Sequence, residues 1–201
     1  YLTGRSAPSD AQRPVLEELA ALGGRAVYLA CDVADRDEVR RAVAAVHADG
    51  QRLHGVLHSA GVIEDDFLLR KSPESFARVV APKALGTWNL DIETRDEPLE
   101  LFVLFSSVTG VLGNVGQCDY GFGNAFEDAF AHARETRRVA GEAKGRTVSV
   151  NWPYWKDGGM RLNDKEEEAL RRSFGIVPLL TAEGIDVLEY ALAQPRAQVV
   201  V

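Results

Sequence analysis

The sequence is short of several features that would define its class. Its two cysteines, Cys31 and Cys118, stand far apart and form no CxxC motif, which favours reduced thiols in a cytoplasmic protein over a disulfide scaffold. The four histidines have no spacing typical of metal ligands, so we expect no metal site. No apolar run approaches the ~20 residues of a membrane span, and the first residues have no signal-peptide pattern. A membrane partner is therefore not expected.

Positive charge is also scarce. The 201 residues contain 23 Lys and Arg against 30 Asp and Glu, a net charge of −7. This balance gives no support to nucleic-acid binding, which depends on cationic contacts with phosphates. Apolar residues make up 46% of the chain, an ordinary fraction for a globular protein. The length fits one domain with a sizeable core, and we predict a single domain over 1–201.

Short apolar segments alternate with helical patterns along the chain. The segments that have the length and composition of strands are 1–3, 26–31, 53–58, 101–105, 147–152 and 198–201. One of the helices between them begins at Pro73 and is expected to be interrupted by Pro82. Near-continuous apolar strands that alternate with helices predict a parallel sheet covered on both faces, which is the doubly wound α/β class.

The stretch 102–124 is the most informative part of the sequence. Its apolar strand ends at Ser107, and a loop with three glycines follows. Order is expected to resume near Tyr120, and Tyr120 and Asn124 have the i, i+4 spacing of one helix face. Ligands of open α/β sheets lie outside the carboxyl ends of the strands. The sequence therefore predicts a site at which the hydroxyl groups of Ser107 and Tyr120 lie close together.

These two hydroxyl groups suggest the reduction of a carbonyl group. A phenol has a pKa near ~10 in water and is a poor proton donor unless a nearby ammonium stabilises its anion. Tyr120 would protonate the carbonyl oxygen, Ser107 would donate a second hydrogen bond, and Lys83 is the expected ammonium. The hydride has to come from a nicotinamide, since no side chain supplies one. A buried tyrosine that is merely satisfied by a neighbouring serine is the alternative interpretation.

Taken in order, several motifs resemble the ketoreductase domain of a modular polyketide synthase, a member of the short-chain dehydrogenase/reductase superfamily. They are LTGRS, CDVAD, GVLHSAGV, PKALGTWNL, FVLFSSVTGVLGNVGQCDYGFGNAF and SVNWPYW, and they cover essentially the whole chain. CDYGFGNAFEDAF followed by VNWPYWKDGGM is most similar to synthases whose acyltransferases act in trans. The resemblance implies a Rossmann-like fold and the NADPH-dependent reduction of a β-ketoacyl chain. An acyl carrier protein would hold that chain through phosphopantetheine, beside other domains of the same synthase.

Carried over by position, the catalytic residues of that family fall on Lys83, Ser107, Tyr120 and Asn124. Most of the superfamily has its lysine four residues after the tyrosine. These ketoreductases instead have asparagine there and the lysine on the preceding helix, as this sequence does. The exchange argues against nucleotide-sugar epimerases and dehydratases, which keep Tyr-x-x-x-Lys. Asn124 would hold Lys83 through a water or a carbonyl group.

The resemblance also implies contacts with NADPH. The matching positions are Arg5, Ser6, Asp32, Val33, Ser59, Ala60 and Gly61. Arg5 falls where the family holds the 2′-phosphate, a group that suits a guanidinium, and Asp32 falls on the adenine side. Without the resemblance, these two would be a solvated arginine and a helix cap. Gly61 ends a turn beneath the nicotinamide ribose, where the backbone has to approach the ligand closely.

Residues on the substrate side are implied in the same way. They are Asp65, Leu112, Trp155 and Met160, with a lid expected over about 153–180 and Trp152 expected in the core. Ketoreductases that give the D-hydroxyl (B-type) resemble one another in a Leu-Asp-Asp loop, matched here by Ile63-Glu64-Asp65. Those that give the L-hydroxyl have a tryptophan at the position of Leu112. The D product is therefore favoured. Phe122 and the first two residues of the loop differ from the D-type pattern, and the alternative interpretation is a solvated acidic loop.

The sequence has no counterpart of the glycine-rich phosphate turn that follows the first strand of the family. Residues 1–3 align with the second strand. In a sheet of order 3-2-1-4-5-6 the first strand is central and pairs on both sides. We therefore expect a segment of a longer polypeptide, with that strand and turn before Tyr1. Residues 1–201 alone are not expected to bind NADPH.

Two other functions stay open at this stage. A structural or epimerising domain would keep the fold without reduction; the intact catalytic positions argue against it, and the missing glycine-rich turn is in its favour. A free-standing short-chain dehydrogenase for a soluble metabolite is disfavoured by the exchange of lysine and asparagine.

Overall fold

Helices and strands alternate along the chain in the computed structural model, which describes residues 1–8, 10, 12–159 and 162–201. The strands are β1 (Leu2–Gly4), β2 (Tyr28–Ala30), β3 (Gly55–His58), β4 (Leu101–Ser107), β5 (Arg146–Trp152) and β6 (Gln198–Val200). The α-helices are α1 (Arg13–Ala21), α2 (Arg36–Ala48), α3 (Pro73–Glu93), α4 (Thr109–Leu112), α5 (Cys118–Val139), α6 (Asp164–Phe174) and α7 (Thr181–Ala193). A 3₁₀ turn, Leu68–Arg70, precedes α3.

The strands form two parallel sheets. β1 pairs with β2, and β3, β4, β5 and β6 pair in that order. The two sheets do not pair with each other; residues of both β1 and β3 line a cleft of about 630 Å³ between them. Leu57 of β3 is 58% exposed, whereas Val103, its partner in β4, is fully buried. The predicted parallel α/β class is therefore confirmed, with an uncovered edge at β3.

The core lies on both faces of β4 because successive side chains of a strand point to opposite faces of a sheet. Phe102 and Leu104 pack with Phe130 of α5 on one face. Val103 packs with residues of β5 and with Ala191 of α7 on the other. The second cluster also contains Trp152, so the prediction of a core role for this tryptophan is confirmed. Each helix thus covers one face of the same strand.

The helix that begins at Pro73 is not interrupted, and that prediction was wrong. α3 runs for 21 residues straight through Pro82. Proline removes one backbone hydrogen bond from a helix interior, but α3 packs between α2 and α5, which compensate by tertiary contact. The loop after β4 also contains one unpredicted helical turn, α4, since four residues are too few for a periodic signal.

A buried arginine joins α5 to its neighbours. Arg134 is 1% exposed and donates to Asp91 of α3 at 2.7 Å. It also donates to Thr147 of β5 at 2.9 Å and to the carbonyl groups of Lys144 and Gly145. Its guanidinium carbon lies 4.4 Å from the centre of the Phe102 ring. These contacts satisfy the charge inside the core and hold α3, α5 and β5 together.

We expect Arg134→Met to destabilise the domain by about 3 kcal/mol or more, because the change leaves part of a buried ion pair and its acceptors without a donor. Pulse proteolysis in urea on the full chain, with α5 peptides quantified by mass spectrometry, measures this change. Arg40→Met is the control, since Arg40 forms exposed ion pairs that contribute little. An equal effect of the two substitutions would contradict the role of Arg134.

Candidate active site

Ser107 and Tyr120 lie on adjoining elements at the carboxyl end of β4. Ser107 is the last residue of β4 and is 7% exposed; its hydroxyl group accepts a hydrogen bond from the backbone of Thr109 at 3.2 Å. Tyr120 is in the first turn of α5 and half-buried. A methyl group at Gly121 would lie 3.3 Å from the Thr109 carbonyl oxygen. The segment after Ser107 therefore packs directly against the turn that carries Tyr120.

The side chains of Tyr120 and Asn124 have free polar atoms. Within the described residues the Tyr120 hydroxyl group makes no hydrogen bond. Asn124 donates to the backbone carbonyl of Tyr120 at 2.7 Å, and its own Oδ1 is buried without a partner. Asn124 therefore does not contact Lys83 directly. A free phenol and an unpaired acceptor are groups that a ligand or a water molecule can engage.

A polar network fixes α5 against the ends of β4 and β5. Asn151 of β5 donates to Asp128 of α5 at 2.8 Å, and to Ser106 at 3.0 Å. Ser149 donates to the other oxygen of Asp128 at 2.6 Å. Ser106 in turn donates to the backbone carbonyl of Asn124 at 3.2 Å. Because these groups are all buried, the network fixes the position of α5 along β4 and β5.

Lys83 reaches the same region from α3. Its side chain passes Gly123, where an added methyl group would lie 3.2 Å from the lysine Cβ, and Gly61, where it would lie 3.7 Å from Cε. The amine donates to the carbonyl of Phe105 in β4 at 2.9 Å and to Glu127 of α5 at 2.8 Å. Lys83 therefore lies between the β3 turn, β4 and α5, but it makes no hydrogen bond with Tyr120 or Asn124.

Two titratable groups accompany Lys83 in the interior. Burial raises the pKa of Glu127 to about 7, against the opposing effect of the Lys83 charge. Burial and the Lys83 charge lower the pKa of His58 to about 4, although its hydrogen bond to the carbonyl of Pro82 opposes this. His58 Nε2 lies 3.6 Å from Glu127 Oε1, an oxygen that has no hydrogen-bond partner. At neutral pH the histidine is uncharged, and the carboxyl group is close to its titration midpoint.

The predicted cofactor residues, with one exception, surround the cleft between the two sheets. Those that line it are Arg5, Asp32, Val33, Ser59, Ala60 and Gly61. Ser6 lies outside the lining, and its carbonyl accepts a hydrogen bond from Tyr28. Arg5 is exposed and has no ion pair or hydrogen bond within the described residues. The cleft thus has a free guanidinium in its lining and the Lys83 side chain behind Gly61, an arrangement that fits a nicotinamide cofactor.

Asp32 does not cap a helix. Its carboxylate accepts from the backbone of Ala34 at 2.9 Å and so closes a turn after β2. The cap of α2 is Asp35, whose carboxylate accepts from the backbone of Asp37 and Glu38. Asp32 therefore shapes the rim of the cleft, whereas Val33 packs with Cys31 and Val39 beneath it.

The acidic loop is bound to its surroundings rather than merely solvated. Asp65 accepts from Gln117 at 2.8 Å, and the backbone of Asp66 donates to Gly116. Arg78 and Ser75 of α3 hold the pKa of Glu64 down at about 2. Lys71 forms a buried ion pair with Asp119 immediately before Tyr120. The loop is therefore tied to the start of α5, next to the tyrosine.

The remaining substrate-side predictions fall in different places. Leu112 ends α4 and is 73% exposed. Trp155 packs on Trp152 with 4.9 Å between ring centres, and an added methyl group on Gly184 of α7 would collide with its ring. This indole therefore belongs to the apolar cluster beneath α7. Met160 lies outside the described residues.

Metal ligands and membrane spans are not found in the described part of the chain. Histidine, cysteine and carboxylate side chains there form no group that could hold a metal ion. None of the helices in those residues is long and apolar enough to cross a membrane.

A parallel α/β fold with a serine at the end of β4 and a tyrosine in the first turn of α5 is the arrangement expected of the short-chain dehydrogenase/reductase superfamily. The family model described as "KR domain" matches residues 1–157, and the chain belongs to this family, the ketoreductase domains of polyketide synthases. It is 41% identical over 200 residues to polyketide synthase PksN of Bacillus subtilis, and 42% identical over 203 residues to ThaG of Burkholderia thailandensis. The matches cover the whole of this chain but only 4% of each relative.

Solved structures agree with this assignment. A ketoreductase domain from the bacillaene assembly line superimposes with a TM-score of 0.96 at 37% identity, over 99% of this chain and 48% of that one. An N-terminal ketoreductase from the macrolactin assembly line gives a TM-score of 0.88 at 36% identity, over 99% and 38%. The chain thus spans about half or less of the solved domains that it matches. The predicted Rossmann-like fold is confirmed.

Glu127 is the residue that the sequence-based prediction missed. It continues the face that carries Tyr120 and Asn124, at i+7 and i+3 from them. A carboxylate on a face that also carries apolar residues was the available signal, because charged residues are rarely fully buried unless they are paired.

We expect Glu127→Gln to gain stability relative to the unaltered protein as the pH rises from about 4.5 to about 7. The folded state keeps the Glu127 proton in this window while the unfolded state has released it, so the stability contributed by protonation is lost as pH rises. Glutamine has no such proton. Pulse proteolysis in urea at several pH values measures the difference.

Glu97→Gln is the control for this prediction. Burial favours the protonated form of Glu97, but hydrogen bonds from Leu53, Arg52 and His47 outweigh it and lower the pKa. Glu97→Gln should therefore lose stability relative to the unaltered protein as the pH rises. This change should occur at lower pH than the window given for Glu127. The same pH dependence in both variants would contradict the raised pKa of Glu127.

Proposed function

We propose that the chain supplies the catalytic residues for NADPH-dependent reduction of a β-ketoacyl thioester in polyketide biosynthesis. The observation that carries the proposal is that Ser107 ends β4, Tyr120 lies in the first turn of α5, and Lys83 reaches between β4 and α5 from α3. Membership in the ketoreductase family supports the reaction type. The substrate would be bound to an acyl carrier protein through phosphopantetheine, and other domains of the same synthase would be further partners. A cytoplasmic location stays a prediction.

The proton-transfer chemistry follows from the positions of the hydroxyl groups. A ketone gains negative charge on its oxygen as its carbon accepts a hydride, and donors placed beforehand stabilise that charge. Ser107 donates a hydrogen bond to the oxygen, and Tyr120 transfers its proton to it, which leaves an alcohol and a phenolate. Lys83 and Asn124 support the phenolate by charge and through water, after which solvent returns the proton.

The cleft supplies the binding groups for the cofactor. NADPH, when bound, supplies the hydride and leaves as NADP⁺. Arg5 would hold its 2′-phosphate, Asp32 would lie at the adenine, and the turn that ends in Gly61 would lie beneath the nicotinamide ribose.

The proposed product is the D-hydroxyl, the B-type outcome. Asp65 supports this choice because it matches the last residue of the D-specific loop, and Leu112 supports it because the L-specific enzymes have a tryptophan at that position. The hydrogen bond from Gln117 to Asp65 fixes the acidic loop beside α5, so the loop is positioned to restrict how a substrate enters. Chiral chromatography of the product tests it, and an L-hydroxyl would remove the assignment.

We expect Tyr120→Phe to lower kcat by about 10²–10⁴-fold, the usual contribution of a positioned acid. The phenyl ring keeps the packing but has no proton to donate. The complete polypeptide that contains residues 1–201 would be given a short β-ketoacyl thioester of N-acetylcysteamine. The loss of NADPH absorbance would then be followed.

Tyr190→Phe is the matched control, since Tyr190 is 61% exposed on α7. It should turn over like the unaltered protein. Equal rates for Tyr120→Phe and the unaltered protein would take Tyr120 out of the reaction and favour a non-reducing domain.

Arg5→Ala should raise the KM for NADPH by about tenfold, a loss of roughly one charge-assisted hydrogen-bonding contact. The KM for NADH should stay the same because NADH has no 2′-phosphate. Steady-state kinetics with both cofactors measure the two constants, and Arg13→Ala, which removes an exposed arginine of α1, is the control. A parallel change in both KM values would contradict a phosphate contact.

A further inference from the structure

Lys83 is held by two hydrogen bonds, and only one of them involves a charged partner. A lysine ammonium has three N–H donors. In the described part of the chain, one points to the Phe105 carbonyl and one to Glu127. Because two fixed bonds orient the ammonium, the direction of the third donor is set by the positions of β4 and Glu127. The chemistry proposed for Tyr120 depends on where that third donor points.

We propose that Glu127 is a positioning residue for Lys83: its carboxylate fixes the ammonium between α3, β4 and α5 in the orientation that the reduction of the ketone needs. This inference rests on the proposed function, since it assigns Glu127 a role through Lys83. Glu127 itself is fully buried and lies about one turn after Asn124 on α5.

The surroundings of Glu127 make its charge sensitive to pH. The titratable groups that face it are Lys83 from α3, His58 from β3 and Asp128 from its own helix. β4 contributes only the Phe105 carbonyl, by way of the lysine. Oε1 of Glu127 has no hydrogen-bond partner, which favours a proton on the carboxyl group. His58 is uncharged at neutral pH, so it supplies no positive charge that would favour the ionised carboxylate.

The two charge states of Glu127 hold the lysine differently. The carboxylate makes a charge-assisted hydrogen bond, which is about twice as strong as a neutral one. The protonated group can still accept from the ammonium, but the attraction between opposite charges is lost, so the orientation of Lys83 becomes less well defined. Glutamine has the same shape as the protonated acid and copies this weaker state at every pH. Glu127→Gln therefore isolates the charge from the packing.

The test is the pH profile of kcat in the full chain, measured with NADPH and the β-ketoacyl thioester of N-acetylcysteamine. In the unaltered protein kcat should rise as Glu127 loses its proton, near pH 7. Glu127→Gln should show no such step and should stay about tenfold below the upper plateau, with both KM values within about twofold. Glu189→Gln, an exposed change of equal charge on α7, should keep the step.

A second measurement does not depend on turnover. Lys83 can be labelled with acetic anhydride and quantified by mass spectrometry, and its side chain is only 4% exposed. Labelling should be several-fold faster in Glu127→Gln than in the unaltered protein, because the amine is held less firmly. Glu127→Asp keeps the charge on a shorter side chain and should restore the step in the pH profile at a lower plateau.

The outcomes separate the two proposals. A pH step that persists in Glu127→Gln, or unchanged labelling of Lys83, would overturn the positioning role. If Glu127→Gln fails to fold, the same two readouts in Glu127→Asp decide: the absence of a step in that variant overturns the role. If the unaltered protein does not reduce the ketone while labelling still increases in the variant, the proposed function fails and the contact between Glu127 and Lys83 is supported.

Discussion

The site depends on the buried network that joins Asp128 of α5 to Asn151 and Ser149 of the sheet. A helix packed on a sheet by apolar contacts alone can slide with little loss of buried area, whereas hydrogen bonds in the interior tolerate little displacement. The bonds from Asn151 to Asp128 and to Ser106 therefore hold α5 in register with β4. Tyr120 is two turns before Asp128 on the same helix, so its position relative to Ser107 follows from this network.

Two glycines make room for the lysine that the site needs. α3 and α5 pack closely where Gly123 faces the stem of Lys83, and the turn after β3 approaches its end at Gly61. An added methyl group at Gly123 would crowd the lysine stem, whereas one at Gly61 would only come into ordinary contact with it. A buried ammonium also needs hydrogen-bond acceptors, and the Phe105 carbonyl and the Glu127 carboxyl group provide them. The Lys83 cation is thus held in the interior with little exposure to water.

The cleft connects the fold to the proposed chemistry. It lies between the edges of β1 and β3, where the turns after β1, β2 and β3 all open at the carboxyl ends of their strands. This is the edge at which open α/β sheets bind ligands. Arg5, which follows β1, has a free guanidinium in this lining within the described residues. The family relationship and the geometry therefore point to the same use of this surface.

Sequence alone was sufficient for most of the elements, and six of the seven positions that the family resemblance implied for the cofactor line the cleft. Apolar runs and helical spacing depend on neighbours within a few residues, so the strands, the helices and the face of Tyr120 and Asn124 were predictable. It failed at Pro82, where tertiary packing outweighs a local penalty. Only the tertiary structure brought Lys83, His58 and Glu127 together, because they come from three elements far apart in the chain. The charge of a buried carboxyl group depends on that three-dimensional environment, and no local pattern encodes it.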